Sequence, residues 1–198
     1  MSALSQLCEQ IIVCPLCELA KSRTKAVPGE GAEEADLLFV GEGPGWHEDQ
    51  QGRPFVGPAG QFLDRLLALI GLRREQVYIT NIVKCRPPQN RDPLPAEIQA
   101  CRPWLDRQVE LIRPRMIVTL GRHSLAQYLP NESIGRVHGR SRKLDDMIHY
   151  PMYHPAAALH QASLRQTIES DMARIPEVLR QAQGVAQEGI GTQQLSMF

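Results

Sequence analysis

The sequence predicts an α/β chain: a three-layer α/β/α sandwich with a central four-stranded parallel sheet. Two observations carry this. Four short apolar runs, at 36–40, 77–83, 116–120 and 148–153, read as buried strands. The segments between them carry apolar residues at helical spacing, so strands and helices alternate. The 198 residues suit one domain with a sizeable core.

The chain opens with a short amphipathic run (Leu4, Leu7, Ile11, Ile12), then Cys14-Pro-Leu-Cys17. The first strand, Asp36 to Val40, leads into GEGPGWHEDQQGRPFVGPAG, residues 41–60. That stretch reads as a long functional loop without secondary structure of its own. It holds three acids (Glu42, Glu48, Asp49), an aromatic (Phe55) and several Gly-Pro corners. It lies at the C-terminal end of a strand, where open α/β sheets form their ligand crevice. Its GEGPG is not the G-x-G-x-x-G of a dinucleotide loop.

Residues 61–70 continue as a helix, with a C-cap at Gly71. The second strand, 77–83, puts Asn81 near its crevice end. A Pro-rich basic connection, 84–95, offers Lys84, Arg86 and Arg91 as possible phosphate contacts. A helix over 95–112, a strand over 116–120 and a helix from Gly121 to about Leu129 follow. Residues 131–146 read as a loop or hairpin with a basic face (Arg136, His138, Arg140, Arg142, Lys143). After the fourth strand, His154-Pro155 sets an imidazole at the start of a long helix to about Gln183. From residue 184 the periodicity is lost. The expected organisation is therefore a domain at 1–183 and a flexible tail at 184–198.

Composition excludes some classes. Lys plus Arg equals Asp plus Glu, at 22 each, which argues against a histone-like polycation. No apolar run is long enough to span a bilayer and no secretory signal is evident, so the expected location is cytoplasmic. Five Cys in such a chain point to metal or redox chemistry. Cys14, Cys17, Cys85 and Cys101 make a full ligand set for tetrahedral zinc or a [4Fe–4S] cluster, and spacing does not choose between them. Cys8 reads as a core residue.

GEGPGWHEDQQGRPFVGPAG, ITNIVKCRPPQNRDP and YHPAA, with four Cys at these places, resemble the family 4, iron–sulfur branch of the uracil-DNA glycosylases. The resemblance covers roughly residues 10–175. It implies hydrolysis of the N-glycosidic bond of uracil in DNA, the first step of base excision repair. It implies a [4Fe–4S] cluster on Cys14, Cys17, Cys85 and Cys101. On that reading the target nucleotide is flipped into a pocket. Phe55 stacks on the uracil, and Asn81 accepts from N3–H and donates to O4. His154 stabilises charge on O2, and backbone groups of Gly41 and Gly43 line the pocket. Glu42 is the expected catalytic carboxylate, with Glu48 and Asp49 behind it.

The run after His-Pro, Ala156 to His160, is less bulky than is usual in that family, and Leu159 is the expected DNA wedge. Residues 86–96 hold no His and no Arg-rich insert, so the covalent DNA cross-linking of a related branch is not expected. The terminal Gln194, Leu195, Ser196, Met197 and Phe198 resemble the short peptide that docks on the sliding clamp. The protein is expected to act as a monomer. Two alternatives remain: a non-catalytic iron–sulfur DNA-binding module accessory to replication or repair, and a redox protein using the C-x-x-C.

Overall fold

A computed structural model describes the backbone of residues 1–191 and the side chains of residues 1–181. The peptide at 194–198 lies outside the described residues. The chain begins with helix α1 (Ala3–Ile12), capped by the Ser2 hydroxyl, which accepts from the Ser5 N–H. The cysteine-bearing turn and a short helix α2 (Leu19–Ser22) follow. Strand β1 (Glu30–Gly31) precedes β2 (Leu37–Gly41), every residue of which is buried. Helices α3 (Trp46–Gln51) and α4 (Pro58–Leu69) lead to β3 (Tyr78–Asn81). Then come α5 (Pro95–Ile112), β4 (Met116–Leu120), α6 (Arg122–Leu125) and α7 (Ile134–Val137). The chain continues through β5 (Arg142–Leu144), β6 (Met147–Met152), α8 (Ala157–His160) and α9 (Ser163–Gly191).

The sheet runs β1-β3-β2-β4-β6-β5. Its four central strands are parallel, as expected. Two short antiparallel edge strands extend it: β1 against β3, and β5 against β6 as a hairpin. Both are too short to show a period-2 pattern; β5 falls in the segment read as a loop or hairpin, while β1 was not expected. Each face of the sheet carries its own apolar cluster. Leu66, Leu67, Ile168 and Met172 pack on Phe39 and Val118 from one side. Leu4, Ile11, Leu105 and Ile112 pack beside Leu38 and Ile117 from the other. Burial on both faces explains why β2 and β4 read as unbroken apolar runs.

Three expectations change. The 41–60 stretch is not loop throughout: α3 occupies Trp46–Gln51 and α4 starts at Pro58. Glu48 makes this possible by accepting from the Gly45 N–H, a backbone group that would otherwise be orphaned at the start of α3. The segment after His154-Pro155 is two helices, interrupted at 161–162. The backbone of α9 runs past the expected helix end near Gln183, to Gly191. Among the described residues, no helix is long and apolar enough to cross a membrane.

Candidate active site

The parallel strands end at one crevice. Gly41 closes β2, Asn81 closes β3 in register with it, and His154 lies two residues beyond β6. Asn81 and His154, together with Glu42, Phe55 and Glu48, line a cavity of about 310 Å³. This is the small end of the range for ligand pockets and suits one planar ring.

Asn81 is 1% exposed, and its Oδ1 has no hydrogen-bond partner among the described residues. An unpaired buried carbonyl costs free energy, and here it lines the cavity where a ligand donor can satisfy it. Gly41 makes the space: a Cβ there would collide with Asn81 Oδ1 and the Phe55 ring.

Phe55 is buried and holds a left-handed backbone at φ 51°. For a bulky residue this conformation is strained and needs support from its surroundings. Two charged groups supply it. Glu48 Oε1 accepts from the N–H groups of Val56 and Gly57, both at 2.8 Å. The Arg74 guanidinium donates to the carbonyls of Phe55 and Pro54, and also binds Glu30 and Asp64. Gly60 admits the turn, since a Cβ there would overlap the Phe55 carbonyl.

The His154 ring stacks beside Phe55, with centroids 5.5 Å apart and planes 28° apart. Its Nδ1 accepts from the Ala156 N–H at 3.1 Å, which puts the ring proton on Nε2. Burial lowers its pKa to about 4, so the imidazole is neutral at physiological pH.

Glu42 borders the cavity, and burial raises its pKa. Its carboxylate is 3.8 Å from His123 Nε2, which is 3.2 Å from Asp92. Glu48 also lines the cavity, but its oxygens are taken by the three backbone N–H groups. Asp49 does not reach the cavity: it is 2% exposed and accepts from the Thr24 N–H. Of the three acids in this stretch, Glu42 alone presents to the pocket a carboxylate without a hydrogen bond to a backbone N–H among the described residues. Leu159 is 44% exposed on α8.

The basic connection after β3 is not a row of free cations. Lys84 is 1% exposed, Arg91 forms a two-pronged pair with Glu97, and Arg86 donates to Asn90. In the 131–146 segment, His138 is bonded to Asp171 on α9. Sequence reasoning read Lys84 as a possible phosphate contact and so missed its burial, and it missed the supporting Arg74. The one available signal was the place of Lys84, directly after an apolar strand.

A second constellation lies on the α1/α5 side. Cys14, Cys17, Cys85 and Cys101 line one small enclosed cavity with Lys84 and Trp104. Three of the sulfurs accept N–H groups: Cys14 from the Trp104 indole at 3.2 Å, Cys85 from Arg23 at 3.0 Å and Cys101 from the Lys84 backbone at 3.3 Å. Cys8 is not among that cavity's lining residues. It is half-buried, 3.6 Å from the Tyr78 hydroxyl.

The family model for the uracil DNA glycosylase superfamily matches residues 28–175. The chain is 49% identical over 189 residues to a type-4 uracil-DNA glycosylase of Sulfurisphaera tokodaii, covering 90% of this chain and 86% of that one. It is 46% identical to one from Archaeoglobus fulgidus, covering 90% of this chain and 94% of that one. The chain belongs to the type-4 uracil-DNA glycosylase family. A type-5 uracil-DNA glycosylase of Pyrobaculum aerophilum is 33% identical over 176 residues, with 80% and 75% of the two chains covered. The family match spans every strand of the sheet and the pocket residues from Gly41 to His154.

If the turn around Phe55 depends on Arg74, then Arg74→Met lowers stability by about 2–3 kcal/mol through loss of a mostly buried charge network. Urea unfolding checks the stability, and uracil affinity should fall in the same variant.

Proposed function

We propose that the protein hydrolyses the N-glycosidic bond of uracil in DNA and so starts base excision repair. The observation that carries this is the unpaired, buried Asn81 Oδ1 in a one-ring pocket beside Phe55 and His154. Uracil meets Asn81 with an N3–H donor and an O4 acceptor. Cytosine reverses both, so a fixed amide would be left with two mismatched polar groups. Phe55 offers its face to the extruded base.

As the bond from C1′ to N1 breaks, its electrons pass to the uracil ring and charge builds on O2. Neutral His154 donates Nε2–H to that oxygen, and needs no protonation to do so because its pKa lies well below 7. The sugar becomes cation-like on the other side. Glu42 is our catalytic carboxylate: its charge stabilises that cation, and it orients the attacking water. Glu48 acts one step back, through the turn that holds Phe55. Gly41 and Gly43 allow the backbone to approach the base. Leu159, exposed on α8, is our wedge for the vacated stack.

The four cysteines fit a [4Fe–4S] cluster. Their sulfurs share one cavity and accept N–H groups, as thiolate ligands do. The choice of a cluster over a single zinc ion rests on the family to which the chain belongs. When bound, the cluster would supply a structural tie, joining the segment after α1 to the end of β3 and to α5. The five cysteines, all unpaired, suit a reducing cytoplasm. The enzyme domain ends near residue 183 in this reading. A tail carrying Gln194, Leu195, Ser196, Met197 and Phe198 docks the monomer on a sliding clamp, a reading that rests on sequence alone.

Three outcomes test this reading. A single-uracil oligonucleotide is cut after alkali by the wild type, and His154→Ala and Glu42→Gln each lower kcat by about 10²–10³-fold. The acid limb of kcat lies above the ordinary carboxylate range, because Glu42 takes up its proton at a raised pH, and that limb is lost in Glu42→Gln. Tight DNA binding without scission by iron-replete protein would instead favour the binding-module reading. Cys17→Ala loses iron, its visible absorbance and much of the folded protein; full iron with unchanged melting argues against the cluster. Deleting 194–198 lowers clamp affinity in a titration and leaves scission of a free oligonucleotide intact.

A further inference from the structure

Lys84 stands between the two constellations: it lines the cysteine cavity and its ammonium reaches the backbone of Asn81. Its side chain is fully buried, and its ammonium spends all three protons. Nζ donates to Thr80 Oγ1 at 2.6 Å, to the Asn81 carbonyl at 2.8 Å and to Gln108 Oε1 at 2.6 Å. Its own backbone is equally committed. The N–H donates to Cys101 Sγ, and the carbonyl accepts from the Val27 N–H at 2.7 Å. The partners are braced in turn, since Thr80 Oγ1 and Gln108 Nε2 both donate to the Pro28 carbonyl at 2.8 Å.

None of these hydrogen-bond partners is a carboxylate. A buried cation is costly unless an anion or a full set of acceptors meets it. Here the acceptors are complete, and Lys84 also lines the cavity of the four cysteines. One of the three acceptors is the backbone of Asn81 itself.

We propose that Lys84 is a positioning residue for Asn81. It pins the carbonyl of the residue whose amide reads the pyrimidine, and locks that strand end to the cysteine site one residue further on. The proposal rests on the reading of Asn81 as the uracil contact. It explains why a long cation sits in the core with no partner of opposite charge among its hydrogen bonds. It also makes the cysteine site a support for substrate selection, through four residues of backbone from Asn81 to Cys85.

The test is equilibrium binding of free uracil to the full-length, iron-loaded protein, with iron followed by its visible absorbance. Lys84→Met should keep its iron and bind uracil about tenfold more weakly, the effect of one misplaced hydrogen bond. In an Asn81→Ala background the same substitution should add nothing, because Lys84 acts through Asn81. Gln108→Leu, which removes one anchor of the ammonium, should weaken uracil binding less, and Gln108→Glu, which keeps that acceptor and gives up only the donor to the Pro28 carbonyl, should fall between it and the wild type. If Lys84→Met loses its iron, the Gln108 pair decides alone. Unchanged uracil affinity in iron-replete Lys84→Met, or equal losses with and without Asn81, overturns the proposal and leaves Lys84 a packing element. A wild type that neither binds uracil nor cuts uracil-containing DNA overturns the underlying reading, and this proposal with it.

Discussion

The pocket depends on two opposite charges gripping one turn. Glu48 takes the amides of Val56 and Gly57 while Arg74 takes the carbonyls of Pro54 and Phe55. A bulky aromatic at positive φ resists its own backbone, and such strain persists only where the surroundings over-determine it. Each charge is itself anchored. Glu48 also holds the start of α3 through Gly45, and Arg74 is paired with Glu30 and Asp64. The wall that presents Phe55 is therefore rigid before any base arrives, and preorganisation of this kind lowers the cost of binding.

The fold brings its chemistry to one edge of the sheet. Parallel strands end together, so Gly41, Asn81 and His154 converge although 113 residues separate the first from the last. The same topology puts the cysteines one layer away. Strand β3 delivers Asn81 to the pocket and, within four residues, Cys85 to the cysteine cavity. Lys84 occupies the hinge between them with no unsatisfied group. The pocket and the cysteine cavity thus draw on one stretch of backbone.

The two titratable groups at the centre are moved apart by their surroundings. Burial lowers the pKa of His154 and raises that of Glu42. For His154 this yields a neutral donor, fixed in one tautomer by the Ala156 amide. For Glu42 it yields a carboxylate that binds protons more readily, consistent with work on water beside a forming cation. On stability the two act over different ranges. As pH falls below the ordinary histidine value, the unfolded chain takes up a proton that folded His154 takes only near pH 4, so that contribution to stability is lost across this window. Glu42 acts the other way, costing stability above the ordinary carboxylate range.

The sequence by itself determined the four parallel strands, the placing of Glu42, Phe55, Asn81 and His154 around one crevice, and the four-cysteine set. These were legible because buried strands are continuous apolar runs, and because chemistry at strand ends follows from parallel topology. Only the tertiary structure decided what the charged residues do. Glu48, Asp49, Lys84 and Arg91 look alike on the page, as exposed charges in polar loops. Folding makes the first a brace, turns the second toward Thr24, buries the third and pairs the fourth. The edge strand β1 was hidden for a related reason, since two residues carry no period. Hydrophobic pattern is a local property that survives in the sequence. The partner of a charge or a backbone amide is chosen by three-dimensional proximity, and no spacing along the chain records it.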